Sequence, residues 1–363
     1  MRDNPAVRGR VIMNIYILSG FQIIGMTDTY KSVIWNEQYY GLGDLQLIVS
    51  ATPENLAQFK TGRYLVRDDC ITANGFKNVM IIENIQISFS VENGLLMTIT
   101  GKSLKNLLSR RIVWQQITNS GELEDTIRQV INDNVITPSN EQRAIANFVL
   151  GNEQGFTETA DIQLLGENIA EWLQTVCETN AYGWKIDIIN NQYVFELYKG
   201  TDRTVNQSTV TPVIFSKDFD NLITADNKSS IETYKNSALV IGEERNGEKV
   251  TVGIGDATDL NRYETKIDGS SVTSNGGVII PPQYDELLIG YGTEELGKLK
   301  TQNTVEATID PNGIYKLNRD YFLGDLVTLE TIQNANSRIT EIIYSEDENG
   351  ISIVPTFSEW EVQ

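Results

Sequence analysis

The chain of 363 residues has no histidine, two cysteines, eight prolines, and 29 basic side chains against 49 acidic ones. Each shortage excludes something. Without histidine there is no Ser-His-Asp or Cys-His nucleophile and no histidine-ligated zinc. Cys70 and Cys177 lie more than a hundred positions apart. They cannot make a thiolate metal cage or a C-x-x-C redox pair, and they read as two buried thiols. A formal net charge of −20 argues against wrapping nucleic acid, which takes clustered Lys and Arg. Long apolar runs are scarce as well. The uncharged stretch Val11 to Thr27 follows Arg8 and Arg10, but Asn14, Ser19, Gly20 and Gln22 interrupt it and it is short for a membrane span. It reads as a hairpin, Ile12–Leu18 and Phe21–Ile24 about Ser19-Gly20. No secretion signal or membrane anchor is expected. Residues 1–12 form a polar lead-in, with Met13 as an alternative start.

What remains is ordinary globular material, 40% hydrophobic and 21% charged, enough for two or three domains. Residues 13–102 read as an antiparallel β module of strands and short turns, with a brief helix at Pro53–Phe59. The character changes over 103–204, an inserted α+β domain. It has a short helix around Leu104, Leu107 and Leu108. Asn119 with Glu122 resembles a capping box ahead of Leu123, Ile127, Val130 and Ile131, and Ile169, Trp172, Leu173 and Val176 mark a second helix. A hairpin turns at Asn190-Asn191. Its Trp184, Tyr193 and Tyr198 are suited either to sheet packing or to stacking on a sugar or base. Strands return in 205–241, where they are expected to complete the first module. Residues 242–363 read as a second module with a helical insertion around 281–300, weakened by Gly290 and Gly292.

The two modules echo one another. Gly62–Val66, Ile82–Ser88, Glu92-Asn93-Gly94 and Leu95–Ile99 run in the same order as Gly324–Val327, Ile339–Ser345, Glu348-Asn349-Gly350 and Ile351–Val354. Each series is a Gly-led strand, a charged-apolar strand, a Glu-Asn-Gly turn and a return strand. The echo is either a duplicated β-barrel module or a chance recurrence of short hairpins. Under duplication, the fold class is mainly β (α+β), two similar antiparallel barrels with the α+β domain between them. The six turn residues Glu92, Asn93, Gly94, Glu348, Asn349 and Gly350 are then the structural marks of the repeat.

Chemistry is harder to find. Gly253-Ile-Gly255 lacks a third glycine and a following helix, and no phosphate-binding G-x-x-x-x-G-K-[ST] occurs. Carboxylates cluster at Asp68-Asp69, Glu122/Glu124/Asp125, Asp218/Asp220 and Glu243-Glu244. Sequence adjacency does not supply the two carboxylates across a cleft that a glycosidase needs. Asp218-Phe-Asp220-Asn221 is suited to a hard cation, but Phe219 and Leu222 point to a turn beside a core strand. Arg110-Arg111 reads as an ion-pair partner. No catalytic residue, cofactor or metal site is expected, and the chain is read as a non-enzyme.

Six segments together resemble the tail-tip (baseplate hub) proteins of tailed phages, found in siphoviruses and prophages of Gram-positive bacteria. They are Tyr30-Lys-Ser-Val-Ile-Trp35, Ser109-Arg-Arg-Ile-Val-Trp114, Phe195-Glu-Leu-Tyr-Lys-Gly200, Val213–Leu222, Phe322-Leu-Gly-Asp-Leu-Val327 and Val354-Pro-Thr-Phe-Ser-Glu-Trp360. The resemblance runs from about Met13 to Trp360 and carries over no active site. It implies a homotrimeric hub with two tube-like β-barrel domains per subunit, joining a six-fold tail tube to a three-fold tip. Expected partners are the tail tube or distal tail protein, the tape-measure protein, and a spike, fibre or separate cell-wall hydrolase, since this chain ends at Gln363. DNA would pass in transit only. The expected location is the virion tail tip, assembled in the host cytoplasm. Two other readings are a carboxylate-dependent peptidoglycan glycosidase and a host-glycan receptor-binding module using exposed Trp and Tyr. If the chain lines a channel, its acidity would keep DNA from sticking.

Overall fold

A computed structural model describes residues 13–310, 312–330 and 334–362, and the lead-in 1–12 lies outside them. The chain is mainly β, and thirteen of the described strands form one sheet. Its first unit is built from alternating apolar residues. β1 (Ile15–Ser19) and β2 (Gln22–Thr27) form the expected opening hairpin. The two-residue turn is Gly20-Phe21, one position later than expected, because Ser19 pairs with Gln22. Gly20 takes φ +58°, the conformation a tight hairpin asks of its first turn residue. There follow β3 (Ser32–Gln38) and β4 (Asp44–Ser50), then the helix Pro53–Gln58 capped by Thr52. β5 (Tyr64–Arg67), β6 (Met80–Ser90) and β7 (Gly94–Ser103) complete the set. Ile15 and Ile17 of β1 share one core with Val33 and Trp35 of β3 and with Leu45 and Leu47 of β4. Strands from opposite ends of this run meet in that core, so the sheet must curl around it.

The second unit repeats the plan. It comprises β8 (Ile214–Ser216), β9 (Leu222–Ser230), β10 (Gln302–Ile309), β11 (Leu326–Glu330), β12 (Asn334–Asp347) and β13 (Gly350–Val362). Phe215, Val305, Val327, Ile339 and Phe357 form its separate core. The neighbour order is β3-β4-β7-β6-β5-β1 in the first unit and β9-β10-β13-β12-β11-β8 in the second. Counted from each unit's own first strand, the two orders are the same, with β2 as an extra strand on β1. One pairing differs: β1 meets β5 antiparallel, whereas β8 meets β11 in parallel. The long hairpins share a finer mark. A β-bulge between Ile82 and Asn84 of β6 recurs between Ile339 and Glu341 of β12, at matching positions of the echo.

The strands of 205–241 do not complete the first unit, which has its own six. β8 and β9 pair with β11 and β10, so the second unit begins well before residue 242. Ser237–Arg245 joins Glu248–Ile254 and Glu264–Asp268 in a separate three-stranded sheet. Val240, Ile267, Tyr284 and Leu288 make a small core between that sheet and the helix Gln283–Gly297. At Gly290 and Gly292 this helix comes close to its neighbours. A Cβ on Gly290 would stand 2.7 Å from the Asp161 carbonyl oxygen, and one on Gly292 2.3 Å from Val240. This insert splits the second unit between β9 and β10.

The α+β domain lies between the units and holds the largest core, with Ile127, Val130, Leu173, Cys177, Trp184 and Phe195 buried in it. Asn168 caps the helix Ile169–Thr179 through Ala170 and Glu171. The capping box expected at Asn119 and Glu122 does not form. Ile117–Glu122 is a strand paired with Thr159–Leu164, and Asn119 instead donates to Thr126 Oγ1 at 2.6 Å.

Candidate functional site

The six turn residues sit at the tips of the two long hairpins. Ser90 pairs with Gly94 across a three-residue loop, Val91-Glu92-Asn93, while Asp347 pairs with Gly350 across Glu348-Asn349. Positive φ falls on the glycine of each tip, 68° at Gly94 and 128° at Gly350. Asn93 accepts from Lys31 Nζ at 2.9 Å. The tips are shape, not chemistry.

More is built where the units join. β12 bonds to β13 along one edge and divides its other edge: Asn334–Arg338 pairs with β11, and Glu341–Glu346 pairs with β3. That second pairing, from Glu341–Gln38 to Glu346–Val33, is the seam that makes one sheet of two units. Trp35 and Tyr344 stand opposite each other in it. The Arg67 guanidinium lies 5.7 Å from the Trp35 ring centre and 5.1 Å from that of Tyr344. Arg67 is 1% exposed, bonds Asp69 through two nitrogens at 2.9 and 2.8 Å, and stands 3.3 Å from Glu37 Oε1. Glu37 is buried too, and Asn78 Nδ2 donates to it at 2.7 Å. Burial pushes the Glu37 carboxyl up to about 7 against the pull of Arg67. At the end of the seam, Glu346 accepts from the Tyr30 hydroxyl at 2.7 Å and the Met13 amide at 3.3 Å.

The loop after β3 ties the α+β domain to this seam. Lys105 Nζ donates to the carbonyls of Gln38, Tyr39 and Gly41 at 2.6, 3.1 and 3.0 Å. The same ammonium lies 4.7 Å from the Trp184 ring centre. Burial brings Lys105 down to about 7. Tyr39 reaches across from the loop, its hydroxyl donating to Tyr198 O at 3.1 Å, and it touches the second unit through Arg338 at 5.5 Å. Beside the junction lies a cleft of about 320 Å³, lined by Glu37, Asp69, Lys77, Lys105, Lys185 and Asp187. Lys185 bridges Asp187 at 3.4 Å and Glu196 at 3.1 Å.

Of the carboxylates singled out in the sequence, Asp69 and Glu124 serve the fold locally. Asp69 pairs with Arg67, and Glu124 accepts from the amides of Gln154 and Phe156 at 2.7 and 3.0 Å. Asn221 spans its turn, accepting from Ser216 N and donating to Ile214 O, both at 2.8 Å. The Arg110-Arg111 doublet splits: Arg110 meets Glu83 at 3.2 Å and Arg111 donates to Arg143 O. Cys70 and Cys177 are free and buried, and burial pushes the Cys177 thiol up to about 12. Trp184, Tyr193 and Phe195 are buried, so these aromatics of the hairpin pack the core. Among the described residues no Cys, Asp and Glu group converges to hold a metal, and no helix is long and apolar enough to cross a membrane. Sequence reading missed Tyr39, Arg67, Glu37 and Lys105. The available signal was charge at the ends of apolar strands, Glu37 after Trp35 and Arg67 after Val66.

This chain has two tandem units of one strand order, split by an α+β domain. Solved tail proteins share its fold over nearly the whole chain. A tail protein from Neisseria meningitidis MC58 matches with a TM-score of 0.58 at 11% identity, over 96% of each chain. The 43 kDa tail protein of prophage MuSo2 from Shewanella oneidensis gives 0.56 at 14%, over 95% of this chain and 98% of that one. Prophage tail protein gp18 from Listeria monocytogenes EGD-e gives 0.50 at 10%, over 96% and 94%. No curated protein matches this chain in sequence. Residues 14–357 match the model of the siphovirus ReqiPepy6 Gp37-like protein family, and the chain belongs to that family. It is a siphovirus-type tail protein, as its six sequence segments suggest.

Proposed function

We propose that this chain is the hub of a tail tip: three copies form a ring that adapts a six-fold tail tube to a three-fold tip. The observation that carries this is the repeated strand order within one chain. Two like units per chain, taken three times, offer six like surfaces to a hexameric tube. The role is structural. The junction supports it, because its charged groups are engaged in fixing the relative positions of parts: Arg67 holds Asp69 and Glu37, and Lys105 clamps three backbone carbonyls. The tube or distal tail protein would sit on one face. A spike, fibre or hydrolase would sit on the other, and the tape-measure protein and then DNA would pass through the channel. A substantial share of the 49 Asp and Glu would face that channel and repel the phosphate backbone. Antibody to this chain, applied to native particles under negative stain, should decorate the tail tip. Label on the head, the sheath or the fibre ends would overturn the reading.

A further inference from the structure

The seam inside the chain has an unfilled twin. In it β12 of the second unit pairs with β3 of the first. By the common strand order, the counterpart of β12 is β6 and the counterpart of β3 is β9. The shared bulge fixes the correspondence along the strands. Asn84 stands where Glu341 does, Ser88 where Ser345 does, and Phe89 where Glu346 does. The neighbouring pairs fix the other side. Asn36 opposite Asp44 corresponds to Lys228 opposite Thr304, so Gln38 matches Ser230, Ile34 matches Asp226 and Val33 matches Ala225. Yet β6 and β9 do not meet in the chain. β9 ends the sheet, and β6 pairs with β5 only at Met80 and Ile81. Beyond Ile82, among the described residues, no strand covers the outer edge of β6. Both strands carry apolar side chains into solvent: Ile87 is 50% exposed, Phe89 71% and Ile223 62%. The seam counterpart of Phe89, Glu346, is 1% exposed.

We propose that the two edges pair between copies, β6 of one chain taking β9 of the next. The register copies the seam, antiparallel, with Asn84 opposite Ser230, Gln86 opposite Lys228, Ser88 opposite Asp226 and Phe89 opposite Ala225. The partner is a second copy of this chain because the complementary edge is carried by the same sequence, and the same kinds of strand already pair within it. The edges differ from each other, so the contact runs head to tail, and it gives a ring, where the rotation closes, rather than a two-fold dimer. Charge permits it, since Asn84 to Phe89 bears no charge against Asp226 and Lys228. Such pairing would also cover two long edges that otherwise invite aggregation. The copy number of three rests on the hub reading above; the pairing and its register do not.

The test uses the full chain with two cysteine pairs, Ser88→Cys with Asp226→Cys, and Phe89→Cys with Ala225→Cys. Successive positions alternate between the two kinds of antiparallel pair, so one of the two meets disulfide geometry if the register is right. Cys70 and Cys177 are buried and do not compete. After mild oxidation, covalent dimers and closed trimers are expected on a non-reducing gel. Mixing two chains, each bearing one cysteine of whichever pair cross-links, should yield the hetero-linked dimer. Light scattering gives the mass in parallel. A three-chain particle that neither pair cross-links overturns the edge pairing and leaves the trimer standing. Cross-linking in particles of another copy number keeps the pairing and overturns the three. A chain that remains monomeric and uncross-linked at high concentration overturns both.

Discussion

Two pairs of strands in this molecule have the same topology and opposite surroundings. β3 and β12 meet in a seam where Trp35 and Ile342 are at most 2% exposed and an arginine is buried beneath two rings. Their counterparts β9 and β6 stand apart, and among the described residues no strand pairs with the outer edge of β9 or with that of β6 beyond Ile82; Phe89 is 71% exposed. The difference shows what one chain with two tandem units can do for itself. It brings the second unit's long hairpin against the first unit once, and in doing so leaves one donor edge and one acceptor edge over. Packing energy is therefore concentrated at the seam, while the open edges keep apolar area that the single chain does not cover.

The largest expected effect falls on the seam. Arg67→Ala removes the partner of both Asp69 and Glu37 and leaves the buried Glu37 carboxyl without a cation. Such losses cost about 3–5 kcal/mol, to be read as a shift in the denaturation midpoint at constant slope. A loss under about 1 kcal/mol would mean that water reaches Glu37 and that the seam is not closed.

The junction should also make stability depend on pH in a particular shape. Glu37 rises from 4.5 to about 7 on folding. Between those values the folded chain holds a proton that the unfolded chain has lost, so stability falls as pH rises through that window. Lys105 moves the other way, from 10.5 to about 7. Between 7 and 10.5 the unfolded chain holds the extra proton, so stability climbs with pH there. Together they predict a shallow minimum near neutrality. Glu37→Gln should flatten the acidic limb and Lys105→Met the alkaline limb, the latter at lower stability throughout because three carbonyls lose their donor. If both limbs persist in both variants, the titrating groups lie elsewhere.

How much of this was legible in the sequence depended on how local the signal was. The long hairpins echo because a Gly-led strand, an alternating strand and a Glu-Asn-Gly tip are all written within a few dozen consecutive residues. The equivalence of β3-β4 with β9-β10 was not visible. Trp35 and Leu45 on one side answer to Asn227 and Val305 on the other, and the insert between Ser230 and Gln302 pulls β9 from β10. That insert is why 205–241 reads as part of the first unit, although β8 and β9 pair within the second. The junction was hidden for another reason. Lys105 is held by backbone carbonyls, which every sequence supplies, and the Arg67–Glu37 contact joins residues thirty positions apart that are brought together only by strand order. The family resemblance was readable because it is spread along the chain, from Tyr30 to Trp360.

The smallest effect on stability is expected at the open edge, and it is the sharpest test of the contrast. Ile342→Ala in the seam should cost about 2–5 kcal/mol, as buried isoleucines do. Phe89→Ser, on the strand that corresponds to β12, should change the stability of the dilute single chain by no more than about 0.5 kcal/mol, the range for exposed positions. A serine there removes apolar area from nothing that the lone chain packs. The same change should weaken self-association measurably, because Phe89 would be covered only when β9 of another copy lies beside it. Urea denaturation of dilute protein and sedimentation of concentrated protein separate the two quantities. If Phe89→Ser destabilises the dilute chain as much as Ile342→Ala does, β6 is already covered within one molecule and its likeness to an open edge is wrong.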